Sequence, residues 1–157
     1  MANESSFGMT LSERIVSPIT TKITLGCHPI AALPPADGYP SFNRVISITT
    51  NNSLEFSEPF NRLKRQSYAV SDEYDEFTSG LSVEKLRLIA NDLLTLLREG
   101  NHVYVHCMAG ISRSPTIVAA AFIISKGWSR DRALEYIAKR RPIIRPNEYF
   151  MELLDKL

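Results

Sequence analysis

The chain has 157 residues, a formal net charge of +1, 44% hydrophobic residues and 22% charged residues. This is the length of one ordinary domain with the composition of a soluble globular protein. The near-neutral balance excludes the overall basic excess of a non-specific nucleic-acid binder, so any anion specificity has to be local. The two cysteines, Cys27 and Cys107, suit a reducing compartment better than a disulfide framework. No run of eighteen apolar residues, no signal-peptide pattern and no lipidation motif is present. The expectation is an intracellular protein, cytoplasmic and/or nuclear, with no membrane segment and no nucleic-acid partner; its oligomeric state is not readable.

In chain order, residues 1–17 read as a loosely structured N-terminus and 18–157 as one domain. Thr21 to Leu25 alternates polar and apolar, a strand ending at Gly26. Residues 28–42, with four prolines, read mostly as loop. Arg44 to Thr50 is β-branched and apolar, a buried strand, followed by a turn at Asn51, Asn52 and Ser53. Gln66 to Val70 reads as a short strand and the acidic stretch 71–80 as a loop. Between Leu81 and Arg98, Leu86, Ile89, Leu93 and Leu96 recur at helical spacing, and Gly100 supplies the stop. Val103 to His106 is a short strand. Ser114 to Lys126 is almost uniformly apolar and too long for a strand, so it reads as a buried helix ending at Gly127. Ser129 is placed to cap a helix through Arg140 that Pro142 ends, and Asn147 to cap a last helix carrying Phe150, Leu153 and Leu154. Strands alternating with helices give an α/β layered domain.

The most informative segment is His106-Cys107-Met108-Ala109-Gly110-Ile111-Ser112-Arg113-Ser114, where the strand 103–106 runs into the apolar helix. A turn there can aim consecutive N–H groups into one concavity at the positive end of a helix, a fitting site for a phosphate-sized anion. Ala109 and Gly110 let the backbone approach closely, and Pro115 suits the first turn of the helix. A thiolate at Cys107 would sit in that positive field as a nucleophile. Arg113, six residues on, carries a planar guanidinium able to grip two phosphate oxygens. Taken singly, Cys107 would be an ordinary core thiol and Arg113 a surface cation; the spacing and setting together point to a site. A nucleotide-binding P-loop does not match, because no Gly-Lys-Ser/Thr follows the glycine.

This run resembles the His-Cys-x5-Arg-Ser/Thr signature of cysteine-based phosphatases, and its longer form HCMAGISRSPT resembles the dual-specificity branch. The run Arg140-Arg141-Pro142-Ile143-Ile144-Arg145-Pro146-Asn147 is similar to that of the small atypical dual-specificity phosphatases. The resemblance covers roughly residues 20–157. It implies a central mixed, mainly parallel sheet flanked by helices. It also implies a protein phosphatase acting on phosphotyrosine and phosphoserine/phosphothreonine, with phosphorylated proteins as substrates and no cofactor. Cys107 would attack phosphorus and carry a phosphocysteine intermediate. Arg113 and the amides of Met108, Ala109, Gly110, Ile111 and Ser112 would bind phosphate, Ser114 would assist the leaving thiolate, and His106 would support the loop. Asn147 would combine helix capping with tethering of the loop.

The reaction needs an acid for the departing oxygen, and residues 71–80 offer Asp72, Glu73, Asp75 and Glu76. The residues themselves do not choose among the four. Family spacing, an Asp six positions before a Leu-Ser pair, prefers Asp75 through Leu81-Ser82; the strand ending Val70-Ser71-Asp72 keeps Asp72 open. Cys27 reads as a small buried hydrophobe, with resolution of an oxidised Cys107 as the alternative. His28 and His102 form no metal-ligand pattern, so no metal is expected. The family's short amphipathic helix between the first two strands is replaced here by the proline-rich stretch. Two other functions stay open: a phosphatase for lipid, RNA or carbohydrate phosphates, and a phosphate-binding pseudoenzyme. The apolar Met108, Ala109 and Ile111 weigh against the lipid version of the first, and the presence of both Cys107 and Arg113 against the second.

Overall fold

The computed structural model describes residues 15–28, 42–50 and 60–157. Five strands form one sheet: β1 (Val16–Pro18), β2 (Ile23–Gly26), β3 (Arg44–Ile48), β4 (Lys64–Tyr68) and β5 (Val103–His106), in the order β1-β2-β5-β3-β4. Only β1 runs antiparallel to its neighbour; β2, β5, β3 and β4 are parallel. Parallel strands need covered faces, and every residue of β2 and β5 is buried.

Alternation along the strands decides which face each residue meets. Ile23, Leu25, Ile46, Ile48, Val103 and Val105 enter the main core with the helices, whereas Val16, Val45 and Tyr104 form a small second cluster. The helices are α1 (Glu76–Ser79), α2 (Val83–Arg98), α3 (Arg113–Lys126), α4 (Arg130–Arg140) and α5 (Glu148–Asp155). Helix α3 is the central one, touching β2, β3 and β5 as well as α2, α4 and α5. A helix apolar all round is one buried all round, and residues 114–122 of α3 are all buried. Helix α2 buries one stripe, Leu86, Ile89, Ala90, Leu93 and Leu96, each such side chain worth about 1.5–3 kcal/mol for the larger ones. Ser82, Ser129 and Asn147 cap α2, α4 and α5, their side chains accepting from Lys85, Arg132 and Phe150 N–H.

Three differences from the sequence reading have simple causes. Val16 and Ser17 lie in the stretch read as loose, yet with Pro18 they form an edge strand; three residues carry too little periodicity to be seen. Strand β4 sits two residues earlier than expected, because the edge sequence Lys64-Arg65-Gln66-Ser67 is exposed and apolar patterning is no guide there. Helix α1 lies inside the acidic stretch read as loop. The proline-rich stretch at 29–41 and the turn at 51–53 fall outside the described residues. Among the described residues no helix is long and apolar enough to cross a membrane.

Candidate active site

The loop from Cys107 to Ser112 joins the end of β5 to the start of α3, so its two ends are held by the most buried strand and helix of the fold. Its conformation is set by where its carbonyls go. Cys107 O accepts from His106 Nδ1 at 2.9 Å. Met108 O accepts from His28 N–H at 2.9 Å. Ala109 O and Gly110 O accept from the Arg141 guanidinium at 3.1 and 2.8 Å. Ile111 O accepts from Arg145 N–H at 2.6 Å, and Ser112 O from Thr116 N–H and Oγ1 at 3.2 and 2.8 Å. Each consecutive carbonyl is thus turned outward onto a donor, which turns the amides toward the inside of the loop. Gly110 N–H donates to Cys107 Sγ at 3.2 Å, whereas the N–H groups of Met108, Ala109, Ile111 and Ser112 have no hydrogen-bond partner among the described residues. Amides arranged this way, at a helix start, form a concavity for an anion.

Cys107 is buried, and its sulfur also lies 3.2 Å from Ser114 Oγ. A thiolate here takes hydrogen bonds from one amide and one hydroxyl. Gly110 adopts φ +69°, and a Cβ on it would come within 2.5 Å of Gly26 O and 2.7 Å of Arg141 Nη2. Only glycine meets both demands. His106 is fully buried; burial pulls its imidazole down to about 3, so it is neutral. With Nδ1–H on the Cys107 carbonyl, Nε2 accepts from Ser47 Oγ at 2.6 Å. His106 therefore fixes the backbone at Cys107 from within the core. Tyr104 stacks on its ring at 5.7 Å.

Arg113 Nη1 donates to Val70 O at 3.0 Å, tying the cation to the start of the acidic loop. The two candidate acids fare differently. Asp75 caps α1: its Oδ1 accepts from Thr78 N–H at 2.8 Å and Thr78 Oγ1 at 2.9 Å, which holds the carboxyl below its ordinary range. Asp72 Oδ1 instead accepts from Ser112 Oγ at 2.7 Å and from Asn147 Nδ2 at 2.9 Å. Ser112 stands at the N-cap of α3 but makes no cap bond with its side chain; the hydroxyl goes to Asp72 and accepts from Asn147 N–H at 3.0 Å. The Ser112 hydroxyl thus serves the acidic loop and α5 rather than its own helix. Asn147 caps α5 through Oδ1, at 2.8 Å from Phe150 N, and joins the acidic loop through Nδ2.

Sequence reasoning missed Arg141. It is fully buried and donates to Gly110 O, Ala109 O and Ser17 Oγ, the last at 2.9 Å. Its place in the Arg140–Asn147 run was the available signal. Ser47 was also missed, and nothing local marks a serine in a buried strand. Cys27 is half-buried, and burial pushes its thiol up. Phe150 is in the core, and Trp128 packs on Phe122 and Tyr136 at 5.3 Å each. Among the described residues no group of three or more His, Cys, Asp or Glu could hold a metal ion.

The chain is similar to several known proteins. The model of the family described as dual specificity phosphatase, catalytic domain, matches residues 25–157. Protein 123R of Invertebrate iridescent virus 6, which carries a tyrosine phosphatase name, is 33% identical over 113 residues, 72% of each chain. Dual specificity protein phosphatase 5 of Rattus norvegicus is 46% identical over 63 residues, 40% of this chain and 16% of that one. Among solved structures, PTPMT1 aligns with a TM-score of 0.71 at 26% identity, covering 90% of this chain and 92% of that one. The human tyrosine phosphatase-like serine/threonine/tyrosine-interacting protein aligns with a TM-score of 0.73 at 21% identity, over 91% and 95%, a likeness of fold.

Proposed function

Because the chain belongs to the dual specificity phosphatase family, we propose that it hydrolyses phosphotyrosine and phosphoserine/phosphothreonine in proteins through a phosphocysteine intermediate on Cys107. The observation that carries this reading is the loop whose carbonyls from Cys107 to Ser112 are all hydrogen-bonded to surrounding donors while the Gly110 amide donates to a buried sulfur. In the reaction, the Cys107 thiolate attacks phosphorus in line with the departing oxygen. The loop amides and the remaining N–H groups of Arg113 hold the equatorial oxygens as charge develops on them. Water then attacks the phosphocysteine, and Ser114 Oγ–H stabilises the sulfur that leaves.

The acid is Asp72 in this reading. Its carboxyl is held beside the phosphate loop by Ser112 and Asn147, whereas Asp75, favoured by family spacing, is engaged by Thr78 in a way that stabilises its ionised form. An acid must reach the departing oxygen, and it is the Asp72 carboxyl that is bonded to a residue of the phosphate loop, whereas that of Asp75 is bonded within its own turn. Once ionised, Asp72 can take a proton from the attacking water.

Hydrolysis of an aryl phosphate and of phosphotyrosine and phosphothreonine peptides, lost in Cys107→Ser, tests the nucleophile. Activity persisting in that variant would remove the mechanism. For the acid, Asp72→Asn should cost on the order of 10²-fold in peptide turnover and lose one limb of the pH–rate profile, with Asp75→Asn near wild type. The reverse pattern reinstates Asp75. A second reading, hydrolysis of a lipid phosphate, draws support from the similarity to PTPMT1, of which one structure holds PI(5)P; the apolar Met108, Ala109 and Ile111 around the nucleophile count against it.

A further inference from the structure

Five large hydrophobic side chains are exposed among the described residues, and four of them stand on the loop after Cys107 or on residues 71–80, the stretch whose Asp72 is bonded to that loop. Met108 and Ile111, 44% and 37% exposed, stand on the phosphate loop itself, and Tyr74 and Phe77, 68% and 95% exposed, stand on the acidic loop and α1. Phe77 in particular leaves nearly its whole ring in water, a cost that a fold normally avoids. These residues sit on fixed backbone. Asn147 Nδ2 donates to Glu73 O at 3.0 Å, Asp75 caps α1, and Ser71 N–H donates to Ser79 O at 2.8 Å. Tyr74 also borders a cleft of about 470 Å³ beside Asp72 and Asn147. These four side chains form an apolar collar carried by the loop that would hold phosphate and by the segment that Asp72 and Glu73 tie to it, so a molecule whose phosphate enters the loop comes up beside them.

The charge set among these side chains narrows what the collar receives. Residues 71–80 hold four carboxylates and no cation; across the cleft the cation is Arg145. After burial, the fields of Glu76, Asp75, Glu152 and Glu84 are what push the Tyr149 phenol up, so several carboxylates converge on this flank. Resting on the protein-phosphatase reading, we propose that this collar docks the polypeptide on either side of the phosphorylated residue and selects segments with apolar and basic neighbours, through Phe77 and Tyr74 for the first and Glu73 and Glu76 for the second. Apolar contact removes the exposed rings from water, and the carboxylates attract Lys or Arg while repelling acidic flanks. An anionic lipid surface would bring its charge against the same carboxylates, which is why a polypeptide is the occupant.

The test compares kcat/KM for phosphotyrosine peptides whose flanks are Leu and Lys with those whose flanks are Leu and Glu, or Ser only. Phosphatidylcholine vesicles containing a phosphatidylinositol monophosphate form a further arm. The Leu/Lys peptide should exceed the Leu/Glu peptide by about tenfold or more, and the gap should narrow at high salt, where exposed charges are screened. Phe77→Ser should lower turnover of both Leu-flanked peptides, and Glu76→Gln should shrink the Lys preference. Both variants should keep wild-type turnover of a small aryl phosphate, which separates docking from a folding defect. Equal turnover of all peptides, or a preference for acidic flanks, overturns the docking inference and leaves the protein-phosphatase reading standing. Turnover of the vesicles with every peptide idle overturns that reading itself.

Discussion

Replacing Arg141 by Met keeps the volume and apolar stem of a fully buried side chain but removes its donors to Gly110 O, Ala109 O and Ser17 Oγ. Hydrogen bonds from a charged donor are worth roughly 1.5–3 kcal/mol each, and a buried acceptor left alone costs roughly 1–3 kcal/mol. Three such bonds do not add, because the substitution also removes the cost of burying a guanidinium. The net expectation is a loss of about 2–4 kcal/mol, or roughly 4–16 °C in Tm at the ~2–4 °C per kcal/mol typical of a chain this size. The loop also loses the clamp behind it. A displacement of the phosphate site by about 1 Å costs on the order of 10² in rate, so kcat/KM for an aryl phosphate should fall by at least tenfold at temperatures where the variant is fully folded. Urea unfolding, followed by fluorescence of the single tryptophan Trp128, gives the first quantity, and steady-state kinetics at 15 °C the second. Arg141→Lys should regain part of the stability and little of the rate, since one ammonium cannot span two consecutive carbonyls and a serine on β1. Loss of less than about 0.5 kcal/mol, the level of an ordinary surface change, together with turnover within twofold of wild type would refute the clamp.

Two further predictions concern the same loop. Gly110→Ala forces a Cβ to within 2.5 Å of the Gly26 carbonyl at φ +69°; strain and overpacking together should cost about 2–4 kcal/mol and abolish turnover, and a variant with wild-type melting and kinetics would contradict the packing of β2 against the loop. His106, neutral and pulled down to about 3 by burial, takes its proton more readily when unfolded, near 6.5. Its contribution to stability is complete above about pH 6.5 and is lost as pH falls from there toward 3, at about 1.4 kcal/mol per pH unit. The slope of unfolding free energy against pH between 6 and 4 should be shallower in His106→Gln by about that amount, and equal slopes would show that the imidazole is not held neutral.

The sequence by itself determined those features whose parts are neighbours in the chain. Strand β5, the loop from Cys107 and helix α3 are contiguous, so the Cys107–Arg113 spacing and the apolar run after it already specify a thiol and a guanidinium at one helix start. The caps Ser82, Ser129 and Asn147 are local for the same reason: each bonds an amide three residues on. The α/β layered class was legible because strands alternate with helices along the chain; the mainly parallel sheet was implied by the family resemblance. Only the tertiary structure separates the surroundings of Asp72 and Asp75: the two are alike in type and family spacing prefers Asp75, but the Asp72 carboxylate meets Ser112 and Asn147 from distant elements and the Asp75 carboxylate meets Thr78 within its own turn. The same holds for Arg141, whose partners lie 31, 32 and 124 positions away. A buried arginine looks like any surface cation until the chain closes around it; its role is fixed by which carbonyls need donors, and those are known only once the loop has been bent.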